Sequence, residues 1–182
     1  MYAIISELDS ESTAAIRDYW QRLCKSCGLK EIYNLPTPHF TWLLAEGLDI
    51  DRIALLIDQI AVLRDPLAIQ TFGLGIFSGN APVLYLPIVK TGPLLQLHRD
   101  IWDRIQPLCV DVHRYYAPSS WIPHITLALK DLTSETITCA IAEIAFESIE
   151  LTGTAERLAL VAYKNGQKGE TLRVAPFNLG QE

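Results

Sequence analysis

Hydrophobic and polar positions along the chain switch between a period of two and a period near 3.6, and the switches mark the elements. Tyr2 to Leu8 is a β-rich run. From Ser12 to Cys27 the residues Ile16, Trp20, Leu23 and Cys27 recur on one helical face, with Ser10 and Ser12 as capping residues at its start. A strand follows at Pro38-His39-Phe40-Thr41. Asp49 or Asp51 then caps a helix to about Arg64, and Ile69 to Phe77 reads as a strand ended by the Gly79-Asn80 turn signal. The rest of the chain reads alike: strand Val83 to Val89, helix Pro93 to Cys109, strand His124 to Lys130, helix Ser134 to Phe146. Two closing strands, Leu158 to Tyr163 and Thr171 to Ala175, flank Asn165-Gly166, a hairpin signal whose loop is longer than two residues.

This likeness between the halves extends to the residues themselves. Pro38-His39-Phe40-Thr41 returns as Pro123-His124-Ile125-Thr126, 85 residues later, and each copy runs on into apolar sequence. Upstream, Arg17 to Leu23 matches Arg99 to Ile105 with four identities in seven. Downstream, Ile53, Ile57 and Ile60 correspond to Ile137, Ile141 and Ile144. Three segments in one order at nearly one offset indicate an internal duplication. The hairpin signals favour antiparallel pairing over a doubly wound parallel sheet. The expected fold is α+β and bilobal, with two mainly antiparallel sheets backed by helices around a central cleft. No linker separates the halves, so residues 1–182 form one unit of two pseudo-symmetric parts, about 1–80 and 81–182.

Composition narrows the partners. Fifteen basic against 21 acidic side chains leave a net charge of −6 and a pI near 5.2, shared evenly between the halves. That balance lacks the basic footprint of a protein that grips long duplex nucleic acid. No apolar run approaches the ~20 residues of a membrane span, and the first eleven residues carry acids where a signal peptide carries Lys or Arg. Cys24, Cys27, Cys109 and Cys139 do not make a disulfide framework, which suits a reducing compartment. The expected setting is cytoplasmic, with no membrane or obligate protein partner.

The repeated motif carries the chemistry. On a strand, residues i and i+2 share a face, so His39 projects with Thr41 and His124 with Thr126, while Phe40 and Ile125 turn to the core. A pseudo-two-fold axis between the halves would bring two imidazoles and two hydroxyls into one cleft. With an ordinary pKa of ~6.5, one histidine can act as general base while the other, protonated, acts as general acid. The hydroxyls of Thr41 and Thr126 can donate to non-bridging phosphate oxygens. Displacement at phosphorus needs these parts and no metal. A lone HxT would carry little weight, since Ser and Thr make up 21 of 182 residues; two copies inside a matched duplication carry much more.

Paired HxT motifs at this separation, each on a strand of a duplicated chain of this length, resemble the two-histidine (2H) phosphoesterases, the superfamily of the bacterial 2′,5′ RNA ligases and cyclic nucleotide phosphodiesterases. The resemblance covers the whole chain. It implies a groove with His39 and His124 as acid and base, Thr41 and Thr126 as phosphate ligands, and no cofactor or metal. The implied substrates are 2′,3′-cyclic phosphates or RNA termini. Ligase-like members often place Arg soon after the second motif, whereas this run ends at Lys130; with the acidic pI, this favours a small nucleotide or short RNA end. The expected activity is therefore a metal-independent phosphodiesterase on such substrates, with 2′,5′ RNA ligation or a non-catalytic nucleotide-binding module as alternatives.

Other residues divide between packing and contact. Tyr115, Tyr116 and Trp121 lie in an irregular stretch before the second motif and are candidates to stack on a base. Cys24 and Cys27 form a CxxC, but no second CxxC completes a site, and packing is the expected role. His98, aligned with Ile16, belongs to a buried helix face. Trp20 and Trp102 are assigned to the core. Arg17, Arg22, Arg99 and Arg104 are either phosphate hooks or, as is commoner, partners in surface ion pairs.

Overall fold

Asp9 ends the first strand and begins the first helix, and its carboxylate does both jobs. In the computed structural model, which describes residues 1–164 and 166–178, strand β1 (Tyr2–Leu8) leads into helix α1 (Ser10–Cys27). The Asp9 side chain accepts from the Ser12 amide at 2.7 Å and the Ser12 hydroxyl at 2.9 Å. It also accepts from the Thr154 amide at 2.5 Å, tying the helix start to a strand far along the chain. The cap is thus Asp9 and not Ser10 or Ser12, the serines expected to supply it. Gly28, at φ 75°, closes the helix in the left-handed conformation that glycine adopts without penalty.

The remaining elements follow as strand β2 (His39–Leu48), helix α2 (Ile50–Ala61), strands β3 (Leu67–Gln70), β4 (Gly75–Phe77) and β5 (Val83–Pro87), and helix α3 (Gly92–Ile105). Then come strands β6 (Cys109–Val112) and β7 (His124–Leu129), helix α4 (Ser134–Ile144), and strands β8 (Thr152–Ala162) and β9 (Glu170–Pro176). Two expected elements change at their ends. The helix from Pro93 stops at Ile105, because Pro107 cannot continue it, and Cys109 opens a strand. The strand expected from Ile69 to Phe77 is two strands, interrupted around Gly73, whose φ is 71°.

Every pairing is antiparallel, and the architecture is α+β. Among the described residues the two expected sheets are one, of nine strands, in the order β3-β8-β1-β2-β7-β5-β4, with β6 beside β2 and β9 beside β8. They merge because β2 and β7 pair at Phe40↔Ile125. In the closing hairpin, β8 pairs with β1 and β9 with β8. Its turn signal falls on Asn165, which lies outside the described residues.

The order places β3 and β4 at opposite ends of the sheet, yet only residues 71–74 separate them. The sheet must therefore curl until its two ends meet. Thr71 is where they do: it bridges Ile88, and its hydroxyl accepts from the Leu151 amide at 3.0 Å.

The helices pack on this curved sheet over a core that includes Ile16, Trp20, Ile57, Ile101 and Ile144. Helix α1 lies against α4, where Arg22 pairs with Glu143 and Glu147. A disulfide joins Cys27 to Cys139 across the same contact, so the packing role expected for Cys27 is corrected. The sequence motifs gave no sign of this pairing, because Cys139 reaches Cys27 through the packing of α4 on α1. Disulfides persist in oxidising surroundings, so the cysteines lend no support to a reducing compartment. Among the described residues no helix is long and apolar enough to cross a membrane.

Asp9 yields a test of this frame. Its carboxyl is held below the ordinary aspartate range: burial raises it, and the hydrogen bonds from Thr154 and Ser12 together outweigh that effect. The cap's contribution is therefore complete at neutral pH and fades as the pH falls below ~4. Asp9→Ala should cost ~1 to 2 kcal/mol, a Tm loss of several degrees in thermal denaturation. Gly153→Ala should cost as much, because a Cβ there would sit 2.6 Å from the same carboxylate and 2.0 Å from the Ser12 hydroxyl.

Candidate active site

Strand alternation sets the floor of the site. In β2, Phe40 and Trp42 are wholly buried in the core, and His39 and Thr41 face the opposite side. In β7, Ile125 and Leu127 are buried, and His124 and Thr126 face outward. Both strands then break step at the same point. The pairing of β1 with β2 skips Trp42, and that of β5 with β7 skips Leu127, each one residue past the HxT threonine. These bulges let the adjacent pairs Trp42-Leu43 and Leu127-Ala128 both enter the core, and they turn Leu44 and Leu129 into the cleft.

The four motif residues line a single cleft of about 650 Å³, together with Tyr116 and Lys130. The imidazoles are held alike. The Nδ1–H of His39 donates to the Thr37 carbonyl at 2.7 Å, and that of His124 donates to the Ile122 carbonyl, also at 2.7 Å. A carbonyl oxygen only accepts, so Nδ1 carries the proton in both rings and Nε2 is the atom free to gain or lose one. The rings of Phe77 and Tyr85, with centroids 4.9 and 5.0 Å away, brace His124. Tyr85 itself fits only because residue 75 is glycine, where a Cβ would lie 2.3 Å from its ring.

Burial sets the protonation. It pushes His39 down to about 4, and the nearby charge of His124 adds to the effect against the opposing Thr37 hydrogen bond. His124 is also lowered by burial, which its Ile122 hydrogen bond opposes. The resting cleft therefore holds two neutral imidazoles. An anion placed between them would reverse this, favouring imidazolium on whichever ring it approaches.

The main chain of each motif is fixed by an indole. Because β2 and β7 pair at Phe40↔Ile125 and then diverge, carbonyls beyond that pair need other donors. Trp121 donates to the Thr41 carbonyl at 3.0 Å, and Trp20 donates to the Thr126 carbonyl at 3.0 Å. Trp121 is stacked between His98, at 3.8 Å, and Trp42, at 5.2 Å. Trp121 is thus 1% exposed and unavailable to stack on a ligand, which corrects its assignment as a base contact. Tyr115 is 63% exposed, with Arg114 over its ring, and does not line the cleft. Tyr116 does line it; burial pushes its phenol up to about 12, with a hydrogen bond to Thr41 opposing the shift.

Lys130 went unassigned in sequence. It has φ 68°, a left-handed conformation rare outside glycine, and lines the cleft just past the second motif. Strain of this kind at a cleft is where functional residues concentrate. Trp20, read as core, is buried as expected but also anchors Thr126. The apolar doublets after each HxT were the visible sign of the bulges.

The family model of the 2′-5′ RNA ligase superfamily matches residues 9–167. The chain belongs to this superfamily. Its members, the 2H phosphoesterases, are generally enzymes that act on phosphodiesters. Among solved structures, a crystal structure of E. coli LigT complexed with 3′-AMP is similar, with a TM-score of 0.51 at 13% sequence identity, over 97% of this chain and 96% of that one. At such identity the likeness concerns the fold. No curated protein matches the sequence.

Two measurements check the geometry of this 2H phosphoesterase. An NMR titration should find His39 neutral down to about pH 4 in the free protein. A bound nucleotide phosphate should raise that midpoint by more than one pH unit, which is ~1.4 kcal/mol of preference for the charged form. Trp121→Phe, which keeps a ring in the stack and removes the N–H, should cost ~1 kcal/mol of stability in denaturant unfolding.

Proposed function

We propose that the protein is a metal-independent phosphodiesterase acting on 2′,3′-cyclic phosphates or related diesters at nucleotide and RNA ends. The observation that carries this reading is the matched pair of imidazoles, each tied through Nδ1 to the carbonyl two residues before it and each offering Nε2 to one cleft. The phosphate anchors between Thr41 and Thr126, whose hydroxyls donate to its non-bridging oxygens, with Lys130 supplying charge. One Nε2 takes a proton from water as its oxygen bonds to phosphorus. The other, protonated once the anion is bound, gives its proton to the departing ribose oxygen as the P–O bond breaks. The two rings end with exchanged protonation states, which solvent resets. Tyr116, neutral across the working range, is a hydrogen-bond donor at the cleft wall. The similar LigT structure holds 3′-AMP, which supports a nucleotide phosphate as occupant.

The superfamily's name favours a second reading, 2′,5′ ligation of RNA ends, in which a 5′-hydroxyl replaces water at the same site. The protein should be incubated with a 2′,3′-cyclic nucleotide, and separately with RNA halves bearing cyclic phosphate and 5′-hydroxyl ends. Linear monophosphate from the first identifies hydrolysis; joined RNA from the second alone identifies the ligase. His39→Ala and His124→Ala should each lower kcat by ~10² to 10⁴. EDTA should leave the rate unchanged, and kcat/KM should pass through a maximum with pH. Full turnover in either alanine variant, or activity lost to EDTA and restored by a divalent ion, overturns the mechanism.

A further inference from the structure

A second hollow of about 350 Å³ adjoins the cleft and takes no part in the chemistry above. Leu35 lines both. Trp20, in the wall of the second, is the residue whose indole is bonded to Thr126 in the first, so one side chain separates the hollow from the HxT strand. The partition is firm. Asp131 accepts from the amides of Lys30 and Glu31 at 2.6 and 2.9 Å, fixing the 3₁₀ turn Glu31–Asn34 to the end of β7. The Gly169 amide donates to the Asn34 carbonyl at 2.7 Å, where a side chain at 169 would strike Tyr163.

The lining is unlike the rest of this acidic chain. It has two cations, Arg17 and Lys168, and no carboxylate. Among the described residues neither cation has a carboxylate within 4.0 Å, whereas Arg22, five residues along α1 from Arg17, is held by Glu143 and Glu147. Tyr33 stands edge-on to Trp20, with centroids 6.2 Å apart, and is 45% exposed. An exposed aromatic ring beside two unpaired cations matches the two parts of a nucleotide: base stacking on the ring, phosphate between the charges.

Resting on the reading of the cleft as a nucleotide-phosphate site, we propose that this hollow binds the nucleotide preceding the one at the reacting terminus. Tyr33 stacks its base and Arg17 and Lys168 hold its phosphate. The preferred substrate is then an RNA strand of two or more nucleotides, not a mononucleotide.

The test compares kcat/KM for a 2′,3′-cyclic mononucleotide with di- and trinucleotides ending in the same cyclic phosphate. The dinucleotide should be favoured by about tenfold, the scale of stacking one base on an aromatic ring, and the third nucleotide should add little. Tyr33→Ala and the double variant Arg17→Ala, Lys168→Ala should erase that advantage and leave mononucleotide turnover unchanged, while Tyr33→Phe should keep it. Equal values for mono- and dinucleotide in the native protein, or variants that depress both alike, overturn the subsite. If cyclic phosphates are not turned over, the catalytic reading fails, and the subsite is judged by calorimetric titration with mono- and dinucleotide 3′-phosphates. A Kd ratio that Tyr33→Ala abolishes supports the subsite. A ratio of one, or two mononucleotides binding per chain with no gain from linkage, overturns it.

Discussion

One strand pairing, Phe40 with Ile125, holds the site together. It is where the two motif strands touch, and it joins the strands on either side into one sheet. Its brevity matters as much as its presence. Had β2 and β7 paired along their length, a continuous ladder would have absorbed the carbonyls of Thr41 and Thr126, and side chains would have covered the space between. Because the strands part after one pair, a cleft opens on one face, and two main-chain acceptors are left to be satisfied from elsewhere. Trp121 and Trp20 satisfy them, each at 3.0 Å, so the threonine main chain is held by the core.

That arrangement also decides the electrostatics. His39 is buried and His124 half-buried on central strands, and desolvation favours the neutral ring in both. Both Nδ1 protons are committed to carbonyls, so any proton gained or lost must pass through the Nε2 atoms. An anion entering such a site would favour the charged form of the ring it approaches. On the proposed reading the substrate completes the acid–base pair.

Much of this was legible in the sequence because it rests on local rules. Alternation in PHxT places His and Thr on one face of each strand, and the structure puts all four residues in one cleft. The long-range consequences were not legible. No periodicity tells that Leu67–Gln70 and Gly75–Phe77 sit at opposite ends of one sheet, since that depends on curvature. The Cys27–Cys139 bond depends on α1 lying against α4, which the repeat does not encode. Trp121 misled for an instructive reason: aromatic residues in an irregular stretch serve ligands and cores alike, and only its stacking on His98 and Trp42 decides between them. Tyr116, five residues earlier in the same stretch, lines the cleft.

Charge gives the last constraint. A chain at −6 repels a polyanion at a distance, so nucleic acid would be met by placed cations and not by a field. The placement is economical in space. Lys130 sits beside the second motif, and Arg17 with Lys168 one side chain beyond the cleft. Most other arginines are spent on carboxylates within the fold, as Arg22, Arg64, Arg157 and Arg173 show. A long duplex would meet the net negative charge of the chain over a wide area. On the proposed reading, a single-stranded end needs contacts only along these few cations, which the net charge does not prevent.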